Sequence, residues 1–183
     1  MPKQIAGPAL AVDVRELLRH PGAHKHVALS ASLPDLATPV ARVPAGAPVT
    51  VDAEIESVVE GLLVTGQVRA SAEFDCARCL GQTRQELRVH VQELFGLDPA
   101  AAEEEGYAVS ADDRLVLDTM ARDAIVLAFP AAPRCRPDCA GLCPVCGADR
   151  NLGPCGHEQR EADPRWAALA DLRLQEDNHD ARA

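Results

Sequence analysis

Seven cysteines in closely spaced groups constrain this chain more than any other feature of its sequence. Two of them form the pair C-A-R-C at Cys76 and Cys79, and the other five lie between Cys135 and Cys155. The first residues carry charged side chains where a secretion signal needs an uninterrupted apolar stretch, so we expect a cytoplasmic, reducing environment. Clustered thiols under reducing conditions are typical of metal binding and not of a disulfide framework.

The cysteine spacing indicates zinc. Two thiolates separated by a tight turn, as in C-x-x-C, can both reach one tetrahedral ion at about 2.3 Å. His157 adds an eighth ligand to the seven cysteines, which is enough for two sites of four. A site closed by four protein ligands has no position for a reactive water, so we expect structural and not catalytic zinc. The eight candidate ligands are Cys76, Cys79, Cys135, Cys139, Cys143, Cys146, Cys155 and His157.

Two arrangements of these ligands are compatible with their spacing. In one, the last four ligands form a local site, and the first four form a second site that closes a loop of more than fifty residues. In the other, a single tail site leaves the C-A-R-C pair as free thiols. The ligands of that single site are Cys135 or Cys139 together with Cys143, Cys146 and Cys155.

A redox switch or chaperone-like thiol protein is the alternative interpretation of a C-x-x-C pair. Redox pairs usually open a helix after a strand, where the helix N-terminus lowers the thiol pKa, whereas Cys76 and Cys79 lie between two strand-like segments. The sequence has no phosphate-binding loop, dinucleotide fingerprint, H-E-x-x-H motif or nucleophile elbow. With closed metal sites, this favours a binding or assembly protein over an enzyme, with no catalytic residue and no small-molecule substrate.

Hydrophobic alternation predicts an antiparallel sheet in the first half of the chain. Residues 49–58 alternate apolar and polar side chains, residues 62–74 form the returning strand after a turn at Glu60-Gly61, and residues 83–95 form a third strand. Four prolines keep residues 27–48 extended or looped. The prediction is a half-buried antiparallel meander.

Three helices are predicted outside this sheet. Asp13 precedes and caps the first, which a Pro-Gly turn ends. Apolar residues at near-helical spacing predict a second helix over 117–128. A third starts at Asp163, with Pro164 at its first position.

These elements indicate an α+β protein, an antiparallel β-rich body with a few short helices and a small zinc-bound C-terminal extension. We expect the body to span residues 1–133, a zinc knuckle packed on it to span 134–162, and a C-terminal helix and tail to span 163–183. No run of about 18 apolar residues exists, so we expect no membrane span.

The negative charge is concentrated in one segment. Residues 93–123 contribute −7 of the formal net charge of −10. Nucleic-acid binders usually show a basic excess, which no region of this chain has, and its aromatic residues are scattered and do not form a stacking platform. The acidic segment is therefore either a solvated loop or a surface that attracts a basic protein.

The order of motifs resembles the YceD family, the large ribosomal RNA subunit accumulation proteins. The chain carries LAVDVRELLRHPG at 10–22, FDCARCLG at 74–81, CRPDCAGLCPVCGADRN at 135–151 and DPRWAAL at 163–169. This resemblance implies a cytoplasmic bacterial factor, not an enzyme, that is needed for accumulation and processing of 23S ribosomal RNA. Its implied partner is the large-subunit precursor, through ribosomal RNA or a ribosomal protein.

The resemblance also implies how the ligands pair. The central cysteine pair of the family corresponds to Cys76 and Cys79, and members without the tail knuckle keep a His and a Cys at the positions of Cys135 and Cys139. Many relatives end the knuckle in C-x-C, where this chain has Cys155-Gly156-His157, a conservative exchange for zinc. Site 1 is then Cys76, Cys79, Cys135 and Cys139, and site 2 is Cys143, Cys146, Cys155 and His157.

Elemental analysis of the purified protein separates the two arrangements. We expect two zinc ions per chain, because eight ligands fill two tetrahedral sites. One ion per chain would support the single tail site. A metal-free chain with rapid, reversible disulfide formation would support the redox function.

Overall fold

The structure, a computed structural model, describes residues 8–97, 106–157 and Arg165. The chain divides into two units, Met1–Gly141 and Leu142–Ala183. The predicted helix at Asp163 lies outside the described residues except for Arg165, and the predicted division at residues 133 and 162 stays a prediction. No helix in the described ranges is long and apolar enough to cross a bilayer.

Within its described residues the first unit is strand-rich with two short helices, which confirms the predicted α+β fold with an antiparallel β-rich body. Its main sheet has six strands, and a separate two-stranded sheet joins the first and last strands of the unit. The elements are, in chain order, β1 (Ala11–Asp13), α1 (Arg15–Arg19), β2 (His24–Ala31), β3 (Ala41–Arg42), β4 (Val49–Val58), β5 (Gly61–Asp75), β6 (Gln82–Gly96), β7 (Tyr107–Ala108), β8 (Arg114–Val116) and α2 (Asp118–Leu127).

The main sheet has the strand order β2-β4-β5-β6-β7, with β3 paired to β5. All of its pairings are antiparallel except the short parallel contact of β7 with the end of β6. The three predicted strands are confirmed as β4, β5 and β6. These three strands follow one another in the sequence, so the β4–β5 and β5–β6 hairpins account for most of the sheet.

One face of the sheet forms the core. Alternate side chains of β4 and β5 are buried, and α2 packs across β5 and β6 with Met120, Ala121 and Ile125 buried. The helix predicted over 117–128 is thereby confirmed, with Leu117 and Ala128 as its caps. The buried sheet residues include Val49, Val51, Ala53 and Ile55 on β4, and Leu62, Val64, Val68, Ala70, Ala72 and Phe74 on β5.

The N-terminal segment is tied to the start of α2. The carboxylate of Asp118 accepts hydrogen bonds from the backbone N–H groups of Ala9 at 3.0 Å and Leu10 at 2.7 Å. Asp118 lies in the first turn of α2, where the helix dipole stabilises a negative charge. The pairing of β1 with β8 continues this connection.

One local prediction differs from the structure, and a second is less detailed than the structure. Helix α1 has Val14 and not Asp13 at its N-cap, because Asp13 is the last residue of β1. The Asp13 carboxylate accepts a hydrogen bond from the N–H of Arg15, the first residue of the helix, at 3.1 Å. Residues 27–48 are non-helical as predicted, but the segment contains most of β2 and all of β3. Strand β2 lies at the sheet edge and buries only Val27, so its sequence shows little alternation.

Strand β5 has a glycine where its neighbour comes unusually close. A Cβ atom at Gly66 would lie 2.3 Å from the carbonyl oxygen of Asp52 and 2.5 Å from the Cα atom of Ala53. Both neighbouring atoms belong to the backbone of β4, which cannot move aside without breaking the sheet. Any larger side chain at position 66 therefore forces the two strands apart.

We predict that Gly66→Ala lowers the free energy of unfolding by about 1 to 3 kcal/mol through this overpacking. The matched control is Gly96→Ala in β6, where the nearest atom to the added Cβ is the Tyr107 carbonyl oxygen at 3.9 Å. The control should change stability by less than about 1 kcal/mol. Urea unfolding followed by circular dichroism measures both, and equal midpoints for the two variants would contradict the prediction.

Candidate metal centres

Four cysteines meet at the end of the β5–β6 hairpin, and we name them cluster 1: Cys76, Cys79, Cys135 and Cys139. Their four sulfur atoms all lie within 4.8 Å of one another. The Sγ atoms of Cys76 and Cys139 are 3.8 Å apart, and those of Cys79 and Cys135 are 3.7 Å apart. Four thiolates held about 2.3 Å from a tetrahedral ion lie about 3.8 Å from one another. The sulfur positions therefore fit a tetrahedral metal site.

A tight turn between β5 and β6 presents the first pair of thiols. The N–H of Cys76 donates to the carbonyl of Gly81 and the N–H of Leu80 donates to the carbonyl of Cys76, both at 2.9 Å. Leu80 adopts a φ of 60°, a left-handed conformation that closes the turn. The C-x-x-C spacing thus places both sulfurs on one side of the turn.

Hydrogen bonds hold the segment after α2 against this turn. The N–H of Ala77 donates to the carbonyl of Pro133 at 2.8 Å, and the guanidinium of Arg78 donates to the carbonyl of Cys139 at 2.8 Å. Gly141 has a φ of 72°, and a Cβ atom there would come within 3.0 Å of the Arg78 carbonyl. Backbone groups and the Arg78 guanidinium, and not only the sulfur atoms, therefore hold Cys135 and Cys139 next to the turn.

The protein environment lowers the pKa of one of these thiols and raises the pKa of another. Backbone N–H groups of Cys79, Cys135 and Arg78 point at the sulfur of Cys76 and lower its pKa to about 6. The adjacent Cys139 sulfur, together with partial loss of solvent around the thiol, raises the pKa of Cys135 to about 12. At neutral pH the Cys76 thiolate is therefore available to a cation, and binding of the cation by Cys135 as well releases the proton of that thiol.

The second unit holds cluster 2: Cys143, Cys146, Cys155 and His157. Their ligand atoms also lie within 4.8 Å of one another. The N–H of Cys143 donates to the carbonyl of Ala148 at 2.8 Å, and the N–H of Gly147 donates to the carbonyl of Cys143 at 2.9 Å. Backbone N–H groups of Cys146 and Val145 lower the pKa of Cys143 to about 6. Cluster 2 has the same turn chemistry as cluster 1, with one imidazole in place of a thiol.

The two clusters contain the ligand groups of the two-site arrangement. Within the ranges that the structure describes, no further group of three or more His, Cys, Asp or Glu side chains lies close enough to hold a metal ion. Thiolates and one imidazole suit zinc and other soft or borderline cations, and they do not suit magnesium or calcium. The occupancy of these clusters by zinc stays a prediction.

The sequence did not reveal two residues that hold cluster 1 together without being metal ligands. Arg78 lies inside the C-x-x-C pair, and Gly141 lies between the last cysteine of cluster 1 and the first of cluster 2. The only sequence signal was the position of each residue beside a cysteine. Their partners, Cys139 and Arg78 respectively, are distant in sequence, so the contacts follow only from the fold.

The fold and the clusters define a class of α+β proteins in which a strand-rich body and a short C-terminal unit each bring four metal-ligating residues together. This chain belongs to the YceD family. The family described as "Large ribosomal RNA subunit accumulation protein YceD" matches residues 64–173, which include all residues of both clusters.

Mycobacterial proteins are similar over most of their length. Uncharacterized proteins of Mycobacterium tuberculosis and Mycobacterium bovis are 37% identical over 175 residues, which cover 93% of this chain and 84% of each relative. An uncharacterized protein of Mycobacterium leprae is 35% identical over 167 residues, covering 87% of this chain and 76% of the relative. No solved structure matches the chain.

We predict that Cys135→Ser and Cys146→Ser each remove one metal equivalent per chain but differ in their effect on the body. Both cysteines are exposed, so the two variants are matched. Cys135→Ser should lower the free energy of unfolding of the first unit by about 2 to 4 kcal/mol, because the link between residues 79 and 135 is lost. Cys146→Ser should leave that unit unchanged.

Metal content by mass spectrometry and thermal unfolding by circular dichroism measure the two effects. Strand signal reports the first unit, which holds the described strands. Full metal retention by both variants would exclude these cysteines as ligands.

Proposed function

We propose that this protein is a ribosome biogenesis factor, not an enzyme, that is needed for accumulation and processing of the 23S ribosomal RNA of the large subunit. It works in the bacterial cytoplasm. The family match over residues 64–173 is the observation that carries this proposal, because the family is described by large ribosomal RNA accumulation. The motif order of the sequence supports it independently of the fold.

The two clusters hold structural zinc in this proposal. Cluster 1 joins the β5–β6 turn to the segment that follows α2, and cluster 2 closes the knuckle of the second unit. Each provides four protein ligands, which complete a tetrahedral zinc site and leave no position for a substrate or a reactive water. Zinc here stabilises the fold and takes no part in chemistry.

The partner is the precursor of the large subunit, and no membrane or small-molecule substrate is involved. The net charge of −10 disfavours an extensive grip on RNA phosphates, since such binding depends on clustered Lys and Arg. Contact through a ribosomal protein agrees better with this charge.

A zinc–thiol redox switch or chaperone-like protein is the alternative function. The pKa of about 6 at Cys76 favours it, because the thiolate is the form that oxidants attack. Burial of Cys76 and Cys139 opposes it, because oxidants and exchanging thiols need access to sulfur. The structural zinc function explains the tetrahedral spacing of all four sulfurs, of which a disulfide would use only two.

Depletion of the protein tests the biogenesis function directly. We expect mature 23S RNA to fall relative to 16S RNA, with recovery on expression of the wild-type chain. An unchanged ratio would exclude the proposed function. A normal ratio combined with rapid, reversible loss of metal under mild peroxide would favour the redox switch.

A further inference from the structure

Strand β6 has a long edge that no other described strand covers. It pairs with β5 over its full length, from Gln82 to Gly96. On its other side, β7 pairs only with Phe95 and Gly96. Among the residues that the structure describes, no backbone hydrogen bond reaches the outer edge between positions 86 and 94.

The outward-facing groups of this edge follow from strand geometry. The carbonyl of Gly96 accepts a hydrogen bond from the N–H of Val109, so Gly96 faces the outer side, whereas the carbonyl of Phe95 faces Gly61 on β5. Alternate residues of a strand direct their N–H and C=O groups to opposite edges. The free donors and acceptors therefore belong to Glu86, Arg88, His90, Gln92 and Leu94. Such a row is a template for an added strand.

A groove of about 310 Å³ lies between this edge and α2. Its apolar lining includes Val89, Val91, Met120 and Leu127. Leu127, at the C-terminal end of α2, is 85% exposed and adds apolar surface to this lining. A strand added to β6 would direct alternate side chains into this groove.

The groove is acidic. Glu93 and Asp123 line it together with His90, and none of the described Lys or Arg residues does. The carboxylate of Asp123 accepts a hydrogen bond from the Tyr107 hydroxyl at 2.8 Å, and the Tyr107 ring stacks on Phe95 at 5.1 Å. Asp123 is therefore held in place at the end of the groove, while Glu93 is exposed. The charge fits a cationic occupant.

We propose that the free edge of β6 and the groove beside it form a docking surface for an extended cationic segment of a partner protein. The segment adds a strand to the sheet, places apolar side chains against Val91 and Leu127, and pairs Lys or Arg with Glu93 and Asp123. The natural source of this segment is a basic protein of the large-subunit precursor. Only this choice of source rests on the proposed function, and the docking surface itself does not.

Peptide binding tests the surface without any ribosomal component. The probe is the nine-residue peptide Val-Thr-Lys-Thr-Val-Thr-Lys-Thr-Val with blocked ends, in which Val and Lys share one face of the strand as Val91 and Glu93 do on β6. Binding is followed by fluorescence anisotropy and by amide shifts of residues 86–94. Binding should weaken as salt is added, because exposed charges are screened. A peptide with Glu in place of Lys should not bind. Two further peptides carry N-methyl groups on the odd-numbered or on the even-numbered backbone nitrogens. Only one of them should lose binding, because only one of these two sets of N–H groups faces β6.

Two pairs of variants locate the site. Glu93→Lys should weaken binding about tenfold, and Glu56→Lys on β4 should leave it within about twofold. Leu127→Asp should also weaken binding about tenfold, with Val59→Asp, 92% exposed in the β4–β5 turn, as its control. All four positions are exposed, so the variants should fold, and circular dichroism checks this.

Several results would overturn the docking surface. These are equal binding of the Glu peptide, equal effects of site and control variants, or amide shifts outside β6 and α2. Self-association through the β6 edge would assign the surface to a second copy, and displacement of the peptide by single-stranded RNA would assign it to nucleic acid. An unchanged 23S ratio on depletion, with peptide binding intact, would exclude the ribosomal source and leave the surface in place.

Discussion

The pairing of β5 with β6 runs without interruption from Gly61 opposite Gly96 to Asp75 opposite Gln82. Each strand has 15 residues, so this hairpin is the longest element of the described chain. Its turn carries the first two thiols of cluster 1, one of its faces forms the core beneath α2, and its outer edge is the proposed docking surface. A shift of the pairing by one residue would turn the core side chains outward and move all three features together.

Cluster 1 depends on this hairpin and on a segment that arrives much later in the sequence. The hydrogen bonds of Ala77 to Pro133 and of Arg78 to Cys139 hold that segment at the turn through groups that are not metal ligands. These contacts and the ligation of a metal ion both offset the entropic cost of closing the loop. Cluster 2 is local, and its turn needs only residues of the second unit.

The sequence predicted those features that local chemistry determines. Residues 49–58 alternate regularly and form β4 with the predicted bounds, and near-helical spacing placed α2 within one residue at each end. Strand β2 was missed because only Val27 is buried along it. Spacing alone left two ligand arrangements open, since it does not reveal which distant segment reaches the turn. The free edge of β6 was also beyond sequence patterning, because it depends on β7 being only two residues long.

Cys135 follows Cys79 by 56 residues, so the ribosome synthesises the two halves of cluster 1 at different times. At typical rates of synthesis, about 5 to 20 residues per second, the second half of cluster 1 leaves the ribosome roughly 3 to 11 s after the first. A β-hairpin forms in microseconds, so the β5–β6 turn can present its two thiols long before their partners exist. During that interval the nascent chain is a two-thiol chelator, and the order of synthesis determines which part of the protein first competes for metal.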